Sequence, residues 1–190
     1  GKTWTQLNCG FSTSRVVSVR IDPSDPNVAV AGLEGGLPSF TGPGDDRYYP
    51  GGIYRTEDGG QNWSKVPVGP NDGTNGYVIM RMTAPSTAGN QLVTFGMNRE
   101  DNNENLRFMR SDDMGRTWEF FAPVMRTRSI DGFDLSADGQ TIYANERDTY
   151  FGWVSRDGGE TWSQGPILQV NGPMAVSPAD HNLVIFASFN

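Results

Sequence analysis

The sequence predicts an all-β fold built from repeated four-stranded antiparallel units. Three observations carry that expectation. An eight-residue turn pattern recurs, as TEDGGQNW at 56–63, SDDMGRTW at 111–118 and SRDGGETW at 155–162. Short apolar runs broken by Gly, Pro, Asp and Asn keep phase with it, and turn signals between apolar runs read as hairpins. No stretch carries a convincing helical period.

Each position of the pattern has a physical task. Thr56, Ser111 and Ser155 end a strand and can bond to nearby backbone. Asp58, Asp113 and Asp157 can accept backbone N–H bonds within the turn. Gly60, Gly115 and Gly159 supply a backbone angle that other residues resist. Trp63, Trp118 and Trp162 open the next strand and bury a large apolar area. The chain begins with GKTW, the second half of the same pattern, which reads as a fourth copy without its front half.

The tryptophans at 4, 63, 118 and 162 are spaced by 59, 55 and 44 residues, against about 40–50 for a four-stranded repeat unit. The shortest repeat is therefore bare and the others carry insertions. A second landmark keeps the same phase. Apolar runs flank Pro23-Ser24-Asp25-Pro26-Asn27 after the first Trp and Pro178-Ala179-Asp180-His181-Asn182 after the last, with weaker versions at 77–96 and 130–145. Each repeat reads as strand, turn, strand, variable loop, strand, box turn, strand. Third strands are expected at 52–56, 106–111 and 150–155, and fourth strands from each Trp. The count is three complete repeats plus a split or partial fourth. The 190 residues are taken as one segment, 1–190, of an incomplete or four-unit ring in which the N-terminal strand could complete the last unit.

The pattern is that of the Asp-box, or BNR repeat. It resembles the hairpins of sialidases, xyloglucan-degrading glycosidases, sortilin-type receptors and a photosystem assembly factor, all of them β-propellers. The resemblance implies a β-propeller of antiparallel blades. It further implies that box turns and first-to-second-strand turns share one face, while the second-to-third loops and inter-blade connections form the ligand face. The box is structural in all these families, so its aspartates are read as structural here and not as catalytic groups.

Composition narrows the function. A formal net charge of −7 argues against nucleic acid. No apolar stretch is long enough to span a bilayer as a helix. His181 is the only histidine and Cys9 the only cysteine, so no internal disulfide and no Cys/His metal pattern exist. Cys9 reads as a small buried or loop residue. No cofactor and no metal is assigned, and the expected location is extracellular or periplasmic.

The insertions hold the candidate site residues. The largest, 34–50, carries Glu34, Asp45, Asp46, Arg47, Tyr48 and Tyr49. Its tyrosines could stack on a sugar while its acids bond hydroxyls. The plainer reading is a Gly/Pro-rich surface loop anchored by those rings. The acids and amides of 97–105 could hold Ca²⁺ but lack the spacing of a calcium loop, so they read as a solvated loop. Glu146 and Arg147 lie near Trp153, which is either an aromatic platform or a ring packed between blades.

The inter-blade connections add Arg15, Arg126, Arg128 and Asp131, and arginines near the axis would suit a carboxylate ligand. Sialidases use such a cluster, but their Arg-Ile-Pro element is replaced here by Arg20-Ile21-Asp22-Pro23. A glycosidase carboxylate pair could be drawn from Glu34, Asp45, Asp46, Asp131 and Glu146.

Three functions are consistent with these residues. One is a non-catalytic recognition or scaffold propeller binding glycan or protein through its loop face. The second is a glycoside hydrolase like the xyloglucanase-type propellers. The third is a structural subunit that joins further blades or self-associates through open blade edges.

Overall fold

A computed structural model describes residues 2–5, 10–11, 16–33, 51–68, 78–83, 89–97, 106–125, 130–146, 151–167 and 172–187. No helix occurs among them. The first blade contains β1 (Val16–Ile21), β2 (Ala29–Leu33), β3 (Gly52–Thr56) and β4 (Ser64–Val66). The second contains β5 (Val78–Thr83), β6 (Leu92–Met97), β7 (Leu106–Ser111) and β8 (Glu119–Met125). The third contains β9 (Ile130–Leu135), β10 (Ile142–Glu146), β11 (Phe151–Ser155) and β12 (Ser163–Ile167). Each is a four-stranded sheet in chain order with antiparallel neighbours. A fourth sheet holds only β13 (Met174–Val176) and β14 (Val184–Phe186) among the described residues. The sheets do not close on themselves, and the architecture is that of a partial β-propeller.

Register is the same in every blade. The first box residue sits opposite the start of the second strand, as Ala29↔Thr56, Leu92↔Ser111 and Ile142↔Ser155. Because side chains alternate across a strand, this register fixes which residues face the neighbouring blade on each side. Val28, Val30, Ile53, Val66 and Val68 of the first blade meet Leu92, Met109, Met114 and Trp118 of the second. Phe95 and Phe108 of the second blade then meet Phe133, Leu135 and Ile142 of the third. Ring centroids of Phe95, Phe108 and Phe133 lie 5.4–5.9 Å apart. Burying each such ring contributes about 1.5–3 kcal/mol, so the seams between blades are the core.

Trp118 and Trp162 face the preceding blade. Trp118 is 7% exposed in the first seam. Trp162 stacks on Phe108 at 5.1 Å. On the first blade, where no described strand lies behind, Trp63 packs on Ala31, Leu33 and Tyr54 and is met by Phe11 at 5.0 Å. Trp4 departs from the expectation. Residues 2–5 form no strand and its ring is 90% exposed. Residues 2–5 pair with neither strand of the fourth sheet in this structure.

Two apolar blade faces stay open. Val17, Val19 and Ile21 on the backward face of the first blade are 37%, 45% and 62% exposed. Leu183 and Ile185 on the forward face of the fourth are 53% and 66% exposed.

Candidate functional site

At one end of the blades the three box turns are near-copies. The hydroxyl of Thr56, Ser111 or Ser155 accepts the N–H of Gly60, Gly115 or Gly159 at 2.8–3.0 Å. The same hydroxyl donates to Oδ1 of Asp58, Asp113 or Asp157 at 2.7–2.8 Å. That Oδ1 also accepts the N–H of Asn62, Thr117 or Thr161 at 2.9 Å. Backbone and side-chain bonds from Asn62 hold the Asp58 carboxyl down to about 2. Bonds from the Thr161 side chain and backbone do the same for Asp157, also to about 2. Hydrogen bonds to the charged form favour it. The Asp58 and Asp157 carboxylates are therefore ionised near neutral pH while they anchor their turns.

Each box turn is also bonded to the first turn of its own blade. Gly59, Met114 and Gly158 donate N–H to the carbonyls of Asn27, Asn90 and Gln140 at 2.8–2.9 Å. Both turns therefore lie on one face. Neighbouring boxes are tied as well: Arg55 Nε donates to Met114 O at 3.0 Å, and Glu57 pairs with Arg55 and, at 3.1 Å, with Arg116. Sequence reading missed this bridge. Its only signal was the Arg two residues before Glu57, at the end of β3.

Glu34, Asp45, Asp46, Arg47, Tyr48, Tyr49, Arg126, Arg128 and Arg147 fall outside the described residues, as do Arg15, Cys9 and 98–105. Asp131, Glu146 and Trp153 are described, and Glu146 and Trp153 meet in the third blade, Glu146 lying at the strand end away from the box turn. Glu146 ends β10 opposite Ile130, and the register shift beside it leaves Asp131 at the adjoining bulge of β9. Trp153 Nε1 donates to Glu146 Oε2 at 3.3 Å. The Trp153 ring is half-buried and packs on the second seam. Glu146 is 8% exposed. Beneath it, Asn145 Nδ2 donates to Gly172 O at 3.5 Å, across the connection to the fourth blade. No group of three or more metal-ligating side chains occurs among the described residues, and no helix among them is long and apolar enough to cross a membrane.

A groove of about 300 Å³ runs between the third and fourth blades, edged by Tyr143, Val154, Met174, Val184 and Phe186. Tyr143 Oη donates to His181 O at 2.9 Å and Val176 N–H donates to Asp134 Oδ2 at 2.9 Å, fixing the two sheets across it. Sequence reading did not single it out. The readable signal was Gly152 and Gly165, which stand where the first blade has Ile53 and Val66 and the second Phe108 and Phe121.

Box turns of one geometry recur on four-stranded antiparallel blades, and the architecture is that of a β-propeller with Asp-box turns. The BNR/Asp-box repeat family matches residues 153–164. Among solved structures, a GH74 enzyme from Niastella koreensis is similar at a TM-score of 0.63 and 16% identity, covering 90% of this chain and 28% of that one. An ancestral GH74 enzyme is similar at 0.60 and 18%, covering 91% and 22%. YCF48 from Cyanidioschyzon merolae is similar at 0.50 and 16%, covering 80% and 39%. These likenesses show the fold alone, and the chain spans less than two fifths of the length of each. No curated protein matches the sequence.

Proposed function

We propose that the chain is a recognition or scaffold propeller that binds a glycan or protein ligand through the blade end opposite the box turns, outside the cytoplasm. The observation that carries this reading is the Glu146–Trp153 hydrogen bond, 3.3 Å long, on a carboxylate that is 8% exposed. A general acid must reach the bond it protonates. Glu146 instead holds a ring, and the box carboxylates hold turns at the other end. What remains for a ligand is Asp131 together with the acids and tyrosines of the insertions. The fold does not choose between catalysis and binding, since both GH74 enzymes and YCF48 share it.

The test is a panel of plant and bacterial glycans and proteins, read for binding and for reducing-end release. Binding without release is expected, weakened at least tenfold by Tyr48→Ala or Tyr49→Ala. Reducing-end release that disappears in Asp45→Asn, Asp46→Asn or Asp131→Asn would overturn the proposal in favour of glycoside hydrolysis. The exposed Val19, Ile21 and Ile185 favour a second reading, a subunit that assembles through its open blade faces. Light scattering of the same preparation decides it, a monomer counting against assembly.

A further inference from the structure

From the charges that successive box turns set on one frame, we propose that the groove between the first and second of them binds an acidic glycan through a sugar carboxylate. This site lies on the box-turn face and is separate from the loop-face ligand of the proposed function.

The first argument is a fixed cation. A groove of about 490 Å³ runs along β4 from Pro67 and Val66 to Ser64, and on to Arg55 and Arg116. The Arg55 side chain is only 10% exposed. Its Nε donates to Met114 O at 3.0 Å and its Nη1 to Glu57 Oε1. Those bonds fix the guanidinium, and among the described residues its Nη2 has no hydrogen-bond partner. A charge already held in place needs little further ordering when a ligand arrives. Its burial also strengthens its pull on an anion. Arg116 reaches the groove from the second box with its side chain 64% exposed, paired with the same Glu57 at 3.1 Å. An exposed pair of this kind is worth little, so Arg116 can turn from Glu57 to a ligand. Planar guanidiniums match a carboxylate bidentately.

The second argument is what the next seam places on the same frame. Arg55 and Arg110 each stand one residue before a box, opposite the fourth strand, as Arg55↔Ser64 and Arg110↔Glu119. Glu119 takes Arg110 at 2.7 Å, and Asp112 lies 3.6 Å from it. The third box carries Glu160 where the second has Arg116. The second seam therefore sets one guanidinium among three carboxylates, and the first sets two beside one. Ser64 puts a hydroxyl where Glu119 puts an acid. Lys65 adds a further cation to the groove, while the Asp58 carboxylate is bound within its own turn by Thr56 and Asn62. In a chain of formal net charge −7 this groove is cationic.

The third argument selects a glycan. Val66 and Pro67 give the groove an apolar wall, which suits the C–H face of a sugar ring. Ser64 Oγ and Asn62 Oδ1 offer hydrogen bonds to ring hydroxyls. An apolar wall with a few placed polar groups is the pattern of a small-ligand site. A uronic acid joins the carboxylate, the hydroxyls and the apolar face in one rigid ring. An acidic peptide brings the charge on a flexible chain without the hydroxyls.

An oligogalacturonate titrated into the isotope-labelled full chain tests the site. It is expected to shift the amides of Arg55, Ser64, Lys65, Val66 and Arg116 saturably. Its methyl ester of equal length, which lacks the charge, is expected not to. Ser64→Glu is expected to weaken binding at least tenfold by copying the second seam, where Glu119 shows that the frame accepts the acid. Arg116→Ala, on an exposed side chain, is expected to weaken it at least fivefold and carries the test should Ser64→Glu unfold the chain. The inference is overturned if no amide of the groove moves, if the ester binds equally, or if Arg116→Ala or a folded Ser64→Glu binds as tightly as the unaltered chain. Equal binding of an oligoglutamate would assign the groove to acidic peptides and overturn the glycan. Shifts confined to Asp131, Glu146 and Trp153 would overturn this site while leaving the proposed function standing.

Discussion

Trp118→Ala is expected to lower the free energy of unfolding by about 3–5 kcal/mol, the range for large-to-small changes at buried aromatic positions. The ring is 7% exposed and closes the seam formed by Val28, Val30, Ile53, Leu92 and Met109. Its indole N–H donates to Gly115 O at 3.3 Å, so the substitution also frees a box carbonyl. Chemical denaturation followed by the remaining tryptophans reads the change. Trp4→Ala provides the contrast, because that ring is 90% exposed and is expected to shift the midpoint little. Equal effects of the two substitutions would contradict the assignment of box tryptophans to the seams.

Gly159→Ala is the second large expected loss. Gly159 has φ +97°, and a Cβ there would lie 2.2 Å from Phe121 Cε2 and 3.4 Å from Ile142 Cδ1. Left-handed backbone costs a non-glycine residue about 1–2 kcal/mol, and overpacking a well-filled site adds about 1–3 kcal/mol. Together the loss is about 2–5 kcal/mol. Gly59→Ala separates the two causes. Its φ is +70°, but the nearest atom to its Cβ is Asn27 Oδ1 at 3.6 Å. Backbone strain alone is expected there, so the loss should be the smaller one in a thermal or denaturant melt.

The fold was legible because the box writes its geometry in residue types. A Ser or Thr, an Asp two later and a Gly two after that are the three partners of one hydrogen-bonded turn, and it recurs with distances equal to within 0.2 Å. The strand boundaries followed, with the fourth strands starting at Ser64, Glu119 and Ser163, one residue after each Trp. Trp4 shows the limit of such reading. The tryptophan of GKTW is expected to open a strand, yet residues 2–5 form none and its ring lies in solvent.

The candidate site was less legible, since loop residues carry no periodicity to place them. Of the acids proposed, Asp131 and Glu146 fall near the ends of the paired strands β9 and β10 of one blade. That Glu146 would hold the Trp153 indole depends on a register shift between Asn145 and Glu146, which the sequence does not announce. The groove beside β14 depends on what is missing at Gly152 and Gly165. A pattern search rewards residues that are present and passes over such positions.

The central claim is that the repeated aspartates build turns and do no chemistry. Side-chain titration of Asp58 and Asp157 by NMR tests it most directly. Each carboxyl is held below its ordinary value of 3.8 by bonds that only the folded turn provides. A folded-state pKa below the unfolded one adds stability that is present above the unfolded value and lost as pH falls through the folded one. The protein should therefore hold its unfolding midpoint down to about pH 4 and lose stability progressively toward pH 2. Titration of both carboxyls at about 2, together with that loss, is the result expected. Titration of either near or above 3.8 in the folded protein would contradict the account.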